Sequence, residues 1–190
     1  MPEGGCVLDQ LAARLAECSG VVARIAAELV AQCRELTVAI NALERELRAL
    51  VRVLAPVLLA VPGCGVLGAA VIVGETAGAR RFRSRAAFAR FTGTPSVPVW
   101  SGNTWGRVRL NRGGNRRVNC ALHMIAVTQA RGIGRGQDYI EQALARGKTR
   151  TEALRLLRRQ LSSTVLTALL ADEEPTPGPG LPSVAAHGLT

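Results

Sequence analysis

Residues 99–119 read VWSGNTWGRVRLNRGGNRRVN and concentrate side chains able to act on a phosphate. Both tryptophans, Trp100 and Trp105, lie there, with Ser101 ahead of Gly102 and the arginines Arg107, Arg109, Arg112, Arg116 and Arg117. No Asp or Glu interrupts the run. Gly102, Gly106, Gly113 and Gly114 allow tight turns and a close approach of backbone to ligand. Guanidinium forks bind phosphate oxygens two at a time. The stretch therefore reads as a loop that holds a phosphodiester backbone, with the Ser101 hydroxyl inside it. A serine hydroxyl is a weak nucleophile at neutral pH and needs activation. Phosphoryl transfer also needs the growing charge on the phosphate oxygens neutralised, a task that Arg107, Arg109, Arg112 and Arg116 suit. His123 is the nearby candidate base. It follows the loop by a helix turn or two, and a core or surface role fits it better, because a base must first meet the geometry. On residue type alone, a serine before glycine is also an ordinary turn residue.

The charge around this loop has the same sign over a long distance. The chain of 190 residues carries a net charge of +10, with Lys148 as its single lysine. Residues 76–137 contain twelve arginines and no acid. An unpaired positive field of that extent favours a polyanion, nucleic acid first. A basic surface without a partner is the plainer alternative. Cys6, Cys18, Cys33, Cys64 and Cys120 form no C-x-x-C pair, and His123 and His187 are too isolated to complete a zinc site. Reduced, mostly buried thiols in a cytosolic protein are expected. The N-terminus MPEGGCVLDQ has no basic region and no signal-peptide core. Residues 53–74 are uncharged and long enough to span a bilayer, but Pro56, Pro62, Gly63, Gly65 and Gly68 interrupt them. A buried soluble segment is expected, and no membrane partner.

The elements that must position the loop are mainly helical. Only three Phe, two Trp and one Tyr are present, so Leu, Ala and Val fill the core. From Leu8 to Leu54 apolar residues recur at steps of three and four, with consecutive fours at Ile25, Leu29 and Cys33. That is a heptad pattern with a stutter, and Ser19-Gly20 is a point where it can divide into two helices. It predicts a coiled coil between copies of the chain. A long helix packed on its own domain remains open. LLAVPGCGVLGAAVIVGE, residues 58–75, has the pattern of a helix-hairpin-helix. The amides around Gly63 and Gly65 could bind phosphate at a helix N-terminus, or the hairpin could serve packing alone. Residues 79–95 predict a short helix capped by Ser84, with Phe82, Ala86, Phe88 and Phe91 inward and Arg80, Arg81, Arg83, Arg85 and Arg90 outward. Extended chain through Val108 and Leu110 predicts a short hairpin around Asn103. Asn115 or Gly114 opens a further helix with Val118, Leu122, Ile125 and Ala126 inward. Helices follow at 139–145 and 151–170, the last with Leu154, Leu157, Leu161, Val165 and Leu169 as its stripe. The divisions expected are helices for dimerisation at 1–56, a compact domain at 57–171 and a disordered tail at 172–190. Candidate nucleic-acid contacts are Gly63, Gly65, Arg80, Arg81, Arg83, Arg85, Arg107, Arg109, Arg112, Asn115, Arg116 and Arg117.

The order PGCG, RRFRSRAAFARFTGTPSVP, WSG, RLNRGGNRRVNCALH and GKTRTEALRLLRRQL resembles the C-terminal part of the DEDD insertion-sequence transposases, the bridge-RNA-guided serine recombinases. The resemblance covers roughly residues 25–170. It implies an N-terminal RuvC-like domain with four metal-binding acids, a coiled coil and a C-terminal transposase domain. The serine of an S-G dipeptide in that last domain becomes joined to DNA, and the matching residues here are Ser101 and Gly102. Many relatives carry a second serine just before it, where this chain has Trp100, a departure that bears on loop packing. The resemblance also implies DNA and a structured guide RNA as partners, a dimer or tetramer, and a cytoplasmic, nucleoid-associated bacterial protein. The acids before Glu75 are Glu3, Asp9, Glu17, Glu28, Glu35, Glu44 and Glu46. All but Glu3 follow the heptad run, without a strand-rich RuvC pattern, so this chain is assigned no cofactor and Mg²⁺ is expected in the RuvC-like domain. Two functions remain open on sequence: a recombinase acting through a phosphoserine intermediate, or a non-catalytic module for nucleic-acid binding and dimerisation, a truncated remnant of the first.

Overall fold

The computed structural model describes residues 3–98, 108–111 and 113–174. The described chain is mainly α, with one two-stranded sheet. It divides into two compact units, Met1–Leu50 and Val51–Thr190.

The heptad run forms two helices, α1 (Glu3–Ala16) and α2 (Val21–Leu54), of which the last turn of α2 belongs to the second unit. The break falls where Gly20 takes φ 106°, a left-handed value that a side chain would resist. Arg34 of α2 pairs with Asp9 of α1. Along α2 the seam is bare. Ile25, Leu29, Leu36, Ile40, Leu43 and Leu50 are each between 47% and 61% exposed. Arg24 with Glu28 and Arg48 with Glu44 add ion pairs one turn apart, a spacing that supports the helix itself.

The second unit is built around α8 (Arg150–Asp172), which packs against α3 (Pro56–Leu59), α5 (Arg85–Thr92), α6 (Arg116–Gln129) and α7 (Gly136–Ala145). The remaining helix, α4 (Val66–Thr76), packs on α6. The core joins Leu58, Ile72, Phe88, Val118, Leu122, Ile125, Leu157, Leu161, Val165 and Leu169. On α6 these residues step by four and three, and on α8 by fours, each the spacing of a buried stripe. Strands β1 (Ser96–Pro98) and β2 (Val108–Leu110) pair antiparallel, with Val97 opposite Arg109. Asn103, the expected turn centre, lies outside the described residues.

Local chemistry fixes the ends of these helices. Ser84 caps α5 by accepting from the Ala87 amide at 3.1 Å. Thr149 and Glu152 form a reciprocal capping box that starts α8. Hydrogen bonds from Thr149 hold the Glu152 carboxyl below its ordinary pKa.

Three expectations need correction. Of the four cysteines whose side chains are described only Cys64 is buried, while Cys18, Cys33 and Cys120 are exposed, so the thiols are not mostly buried. Ala86 is exposed and Ala89 is buried in its place. The Ser84 cap sets the phase of α5, which turns Phe88, Ala89 and Thr92 inward. Residues 172–174 also belong to the ordered chain, not to a loose tail. Asp172 accepts from the amides of Val57 at 2.7 Å and Leu58 at 3.0 Å, and Glu173 accepts from those of Ala79 and Arg80. These carboxylates satisfy first-turn amides of α3 and turn amides that the helices leave open. Residues 175–190 lie outside the described residues. No described helix is long and apolar enough to cross a membrane.

Candidate nucleic-acid interface

A cavity of about 630 Å³ opens between the start of α6, the turn that follows β2, and α8. Its walls include Thr92, Asn111, Gly113, Gly114 and Asn115, then Arg116, Asn119, Cys120 and His123 of α6, and Arg158 of α8. Among the described residues no acid lines it, and the formal charges there are positive.

Asn115 brings the parts together. Its Oδ1 accepts from the amides of Arg117 and Val118 at 3.0 Å, which caps α6. Its Nδ2 donates to Glu75 at 2.6 Å, and the Arg117 guanidinium reaches the other oxygen of Glu75 at 2.8 Å. Its backbone amide donates to the Phe91 carbonyl at 2.6 Å. The turn before it is crowded. A Cβ on Gly114, which has φ 104°, would stand 2.7 Å from the Gly93 nitrogen and 2.8 Å from the Phe91 carbonyl oxygen. Only glycine fits that approach. Asn111 accepts from the Gly113 amide at 2.9 Å and shapes the same turn.

Deeper in the cavity Asn119 bridges two elements. It donates to the Thr92 carbonyl at 2.7 Å and accepts from Arg158 at 3.1 Å. Arg158 is partly buried and meets no carboxylate among the described residues. Its Nε is enclosed without a hydrogen-bond partner, as is Nδ1 of His123. Burial lowers the pKa of Arg158, and the neighbouring Arg155 cation adds to that shift. Desolvation penalises an unpaired charge in this way.

The structure thus distributes the sequence candidates unevenly. Arg116 and Asn115 meet at the cavity. Arg117 is committed to Glu75, and Arg80 lies near Glu173, with a guanidinium nitrogen 3.9 Å from the carboxylate. Arg81 stacks over Phe82 and Phe91, 4.5 Å and 5.1 Å from their ring centres. Arg83 and Arg85 are exposed, and Arg85 lines a separate groove beside α3 and α8. Gly63 faces α6, where an added Cβ would stand 3.2 Å from Thr128. Gly65 opens α4 with free space around it. Arg109 contributes its backbone to β2. Ser101, Arg107 and Arg112 lie outside the described residues.

Arg158 and Asn119 were missed by the sequence reading. Each follows an inward residue by one position and precedes another by three, Leu157 and Leu161 in one case and Val118 and Leu122 in the other. A polar residue on the flank of a buried stripe was the available signal. The described residues contain no group of three or more His, Cys, Asp or Glu side chains placed to hold a metal ion.

Comparison with known proteins adds a family to this geometry. Residues 55–141 match the transposase IS116/IS110/IS902 family. The chain is also 35% identical over 134 residues to the insertion element IS110 uncharacterized 43.6 kDa protein of Streptomyces coelicolor. That alignment takes in 70% of this chain and 33% of the relative. The chain therefore spans about a third of the length of the curated relative it matches.

Proposed function

We propose that the IS110-type transposase domain at residues 55–141 serves DNA strand cleavage and exchange, with Ser101 as the nucleophile. The observation that carries this reading is an acid-free cavity, walled by Arg116 and Arg158, within and beside the family segment. The segment that leads to Ser101 departs from β1 and returns through β2, directly before the cavity-lining turn at Asn111.

In the proposed reaction Ser101 Oγ gives up its proton and attacks a strand phosphorus, so that a phosphoserine ester forms as the bond from phosphorus to the departing strand oxygen breaks. The departing strand oxygen takes up a proton. Attack by the hydroxyl of a second strand releases the serine and completes the exchange. Arg116, and by their sequence position Arg107, Arg109 and Arg112, neutralise charge on the phosphate oxygens. Among the described residues no group of three or more His, Cys, Asp or Glu side chains is placed to hold Mg²⁺. From the family resemblance we further propose a structured guide RNA as a partner, residence in the bacterial cytoplasm, and assembly of copies through the bare seam of α2.

The test is a denaturant-resistant protein–DNA adduct, assayed with RuvC-like acids and Mg²⁺ supplied in a longer chain or in trans. Ser101→Ala is expected to abolish the adduct while leaving DNA affinity nearly unchanged, because arginines carry the affinity. An adduct that survives this change removes Ser101 from the chemistry. DNA binding with no adduct under any supply of acids and metal favours the non-catalytic module.

A further inference from the structure

The enclosed Arg158 is a cost without a visible return in the protein alone. A partly buried guanidinium loses hydration, and one Asn119 oxygen is its only hydrogen-bond partner among the described residues. No carboxylate approaches it there. Residues 99–107 and 112, which border the cavity in sequence, contain no Asp or Glu. Arg116 lines the same cavity from α6 and adds a second cation. Two like charges line one space, and the enclosed Nδ1 of His123 beside it has no hydrogen-bond partner. An anion would offset the desolvation of Arg158 and the repulsion it meets from Arg155.

We infer that Arg158, Arg116 and Asn119 frame a subsite for one phosphate group, which Arg158 holds from the side of α8. Asn119 has a positioning role: its hydrogen bonds to Thr92 and Arg158 tie the guanidinium to the end of α5. Residue 158 lies beyond the family segment, which ends at residue 141. The site is therefore completed by a helix that the family match does not include. The assignment of that phosphate to a nucleic-acid strand rests on the function proposed above. The subsite itself can be tested without it.

Thermal unfolding of the whole chain is measured with inorganic phosphate against sodium chloride of equal ionic strength. Phosphate is expected to raise the midpoint in the unaltered chain. Arg158→Gln should weaken phosphate binding by about tenfold or more, the loss expected for a charge-assisted hydrogen bond. Arg131→Gln removes an equal charge from an exposed position just past the far end of α6 and should leave the phosphate response intact. An equal loss in both variants reduces the effect to a diffuse field and overturns the subsite. If Arg158→Gln does not fold, Arg116→Gln decides, since Arg116 is exposed and its loss should weaken phosphate without unfolding. An unchanged response to phosphate in that variant overturns the subsite.

A short single-stranded oligonucleotide separates the two levels of the argument. Phosphate binding that depends on Arg158, with no oligonucleotide binding, keeps the subsite and removes the nucleic-acid reading. Oligonucleotide binding indifferent to Arg158→Gln and Arg116→Gln overturns the subsite and leaves that reading standing.

Discussion

Among the described residues Glu75 is the one acid that touches the start of α6, and it touches it twice. It holds the Asn115 amide and the Arg117 guanidinium, so it fixes the residue that caps the helix. Glu75→Ala should lower unfolding stability by about 1–3 kcal/mol, the range for removing the partner of a charged hydrogen bond. Urea denaturation checks this, and an unchanged midpoint would show that the cap stands by itself. Cys64 gives a second residue-scale expectation. Burial pushes its thiol up to about 11. Cys18, Cys33 and Cys120 are exposed. Near pH 8 an alkylating reagent should label those three and spare Cys64, because the thiolate is the reactive form. Mass spectrometry of the labelled peptides reads the result. The sign of the linkage follows: a raised folded-state pKa gives stability that is complete below pH 9 and lost as pH rises toward 11.

At the scale of elements, the contact between the α5 end and the turn before α6 is set by two glycines. Gly93 takes φ 69° and Gly114 takes φ 104°, and their backbones nearly touch. Gly114→Ala should cost about 2 kcal/mol or more, from a disfavoured backbone region and a clash that backbone atoms cannot relieve. The phosphate response should fall with it, since Gly113 and Gly114 line the cavity. A normal unfolding midpoint for this variant would mean that the turn can re-form elsewhere. Helix α8 has its own acid-sensitive start. The Glu152 carboxyl is held low by Thr149, so its contribution is present above the ordinary carboxylate range and lost as pH falls through the folded value. Glu152→Gln should flatten that acid dependence, because it removes the carboxyl that the Thr149 amide and hydroxyl hold, and circular dichroism against pH can follow it.

For the whole molecule, the open question is what covers α2. Six large apolar residues of its seam stand between 47% and 61% exposed, in heptad order over a 34-residue helix. A second copy of the chain is the occupant that such a seam suits. Leu43→Asp with Leu47→Asp would bury charge in that contact. The unaltered chain should scatter light as a dimer or larger, and the doubly changed chain as a monomer. A monomer in the unaltered chain would refute the assembly. DNA affinity should also fall steeply with salt, with a slope near −0.9 per phosphate neutralised on a log–log scale.

The sequence by itself determined the elements whose cause is local. The break at Gly20, the caps at Ser84 and Asn115, and the stripes of α6 and α8 were legible because capping and periodicity act within a few residues. The mainly α class followed from the same patterns. The basic, acid-free character of residues 76–137 was likewise fixed by composition. Tertiary structure alone decided which arginines are committed and which are open. Arg117 is drawn to Glu75 across 42 residues and Arg80 toward Glu173 across 93, while Arg158 reaches Asn119 across 39. Those distances along the chain carry no periodic signal, since they arise from how α5, α6 and α8 pack. The same packing turned Asp172 and Glu173 from the start of a tail into caps for distant amides. It also placed one unpaired cation beside a cavity, because a helix that buries Leu157 and Leu161 must carry Arg158 to the edge of the core.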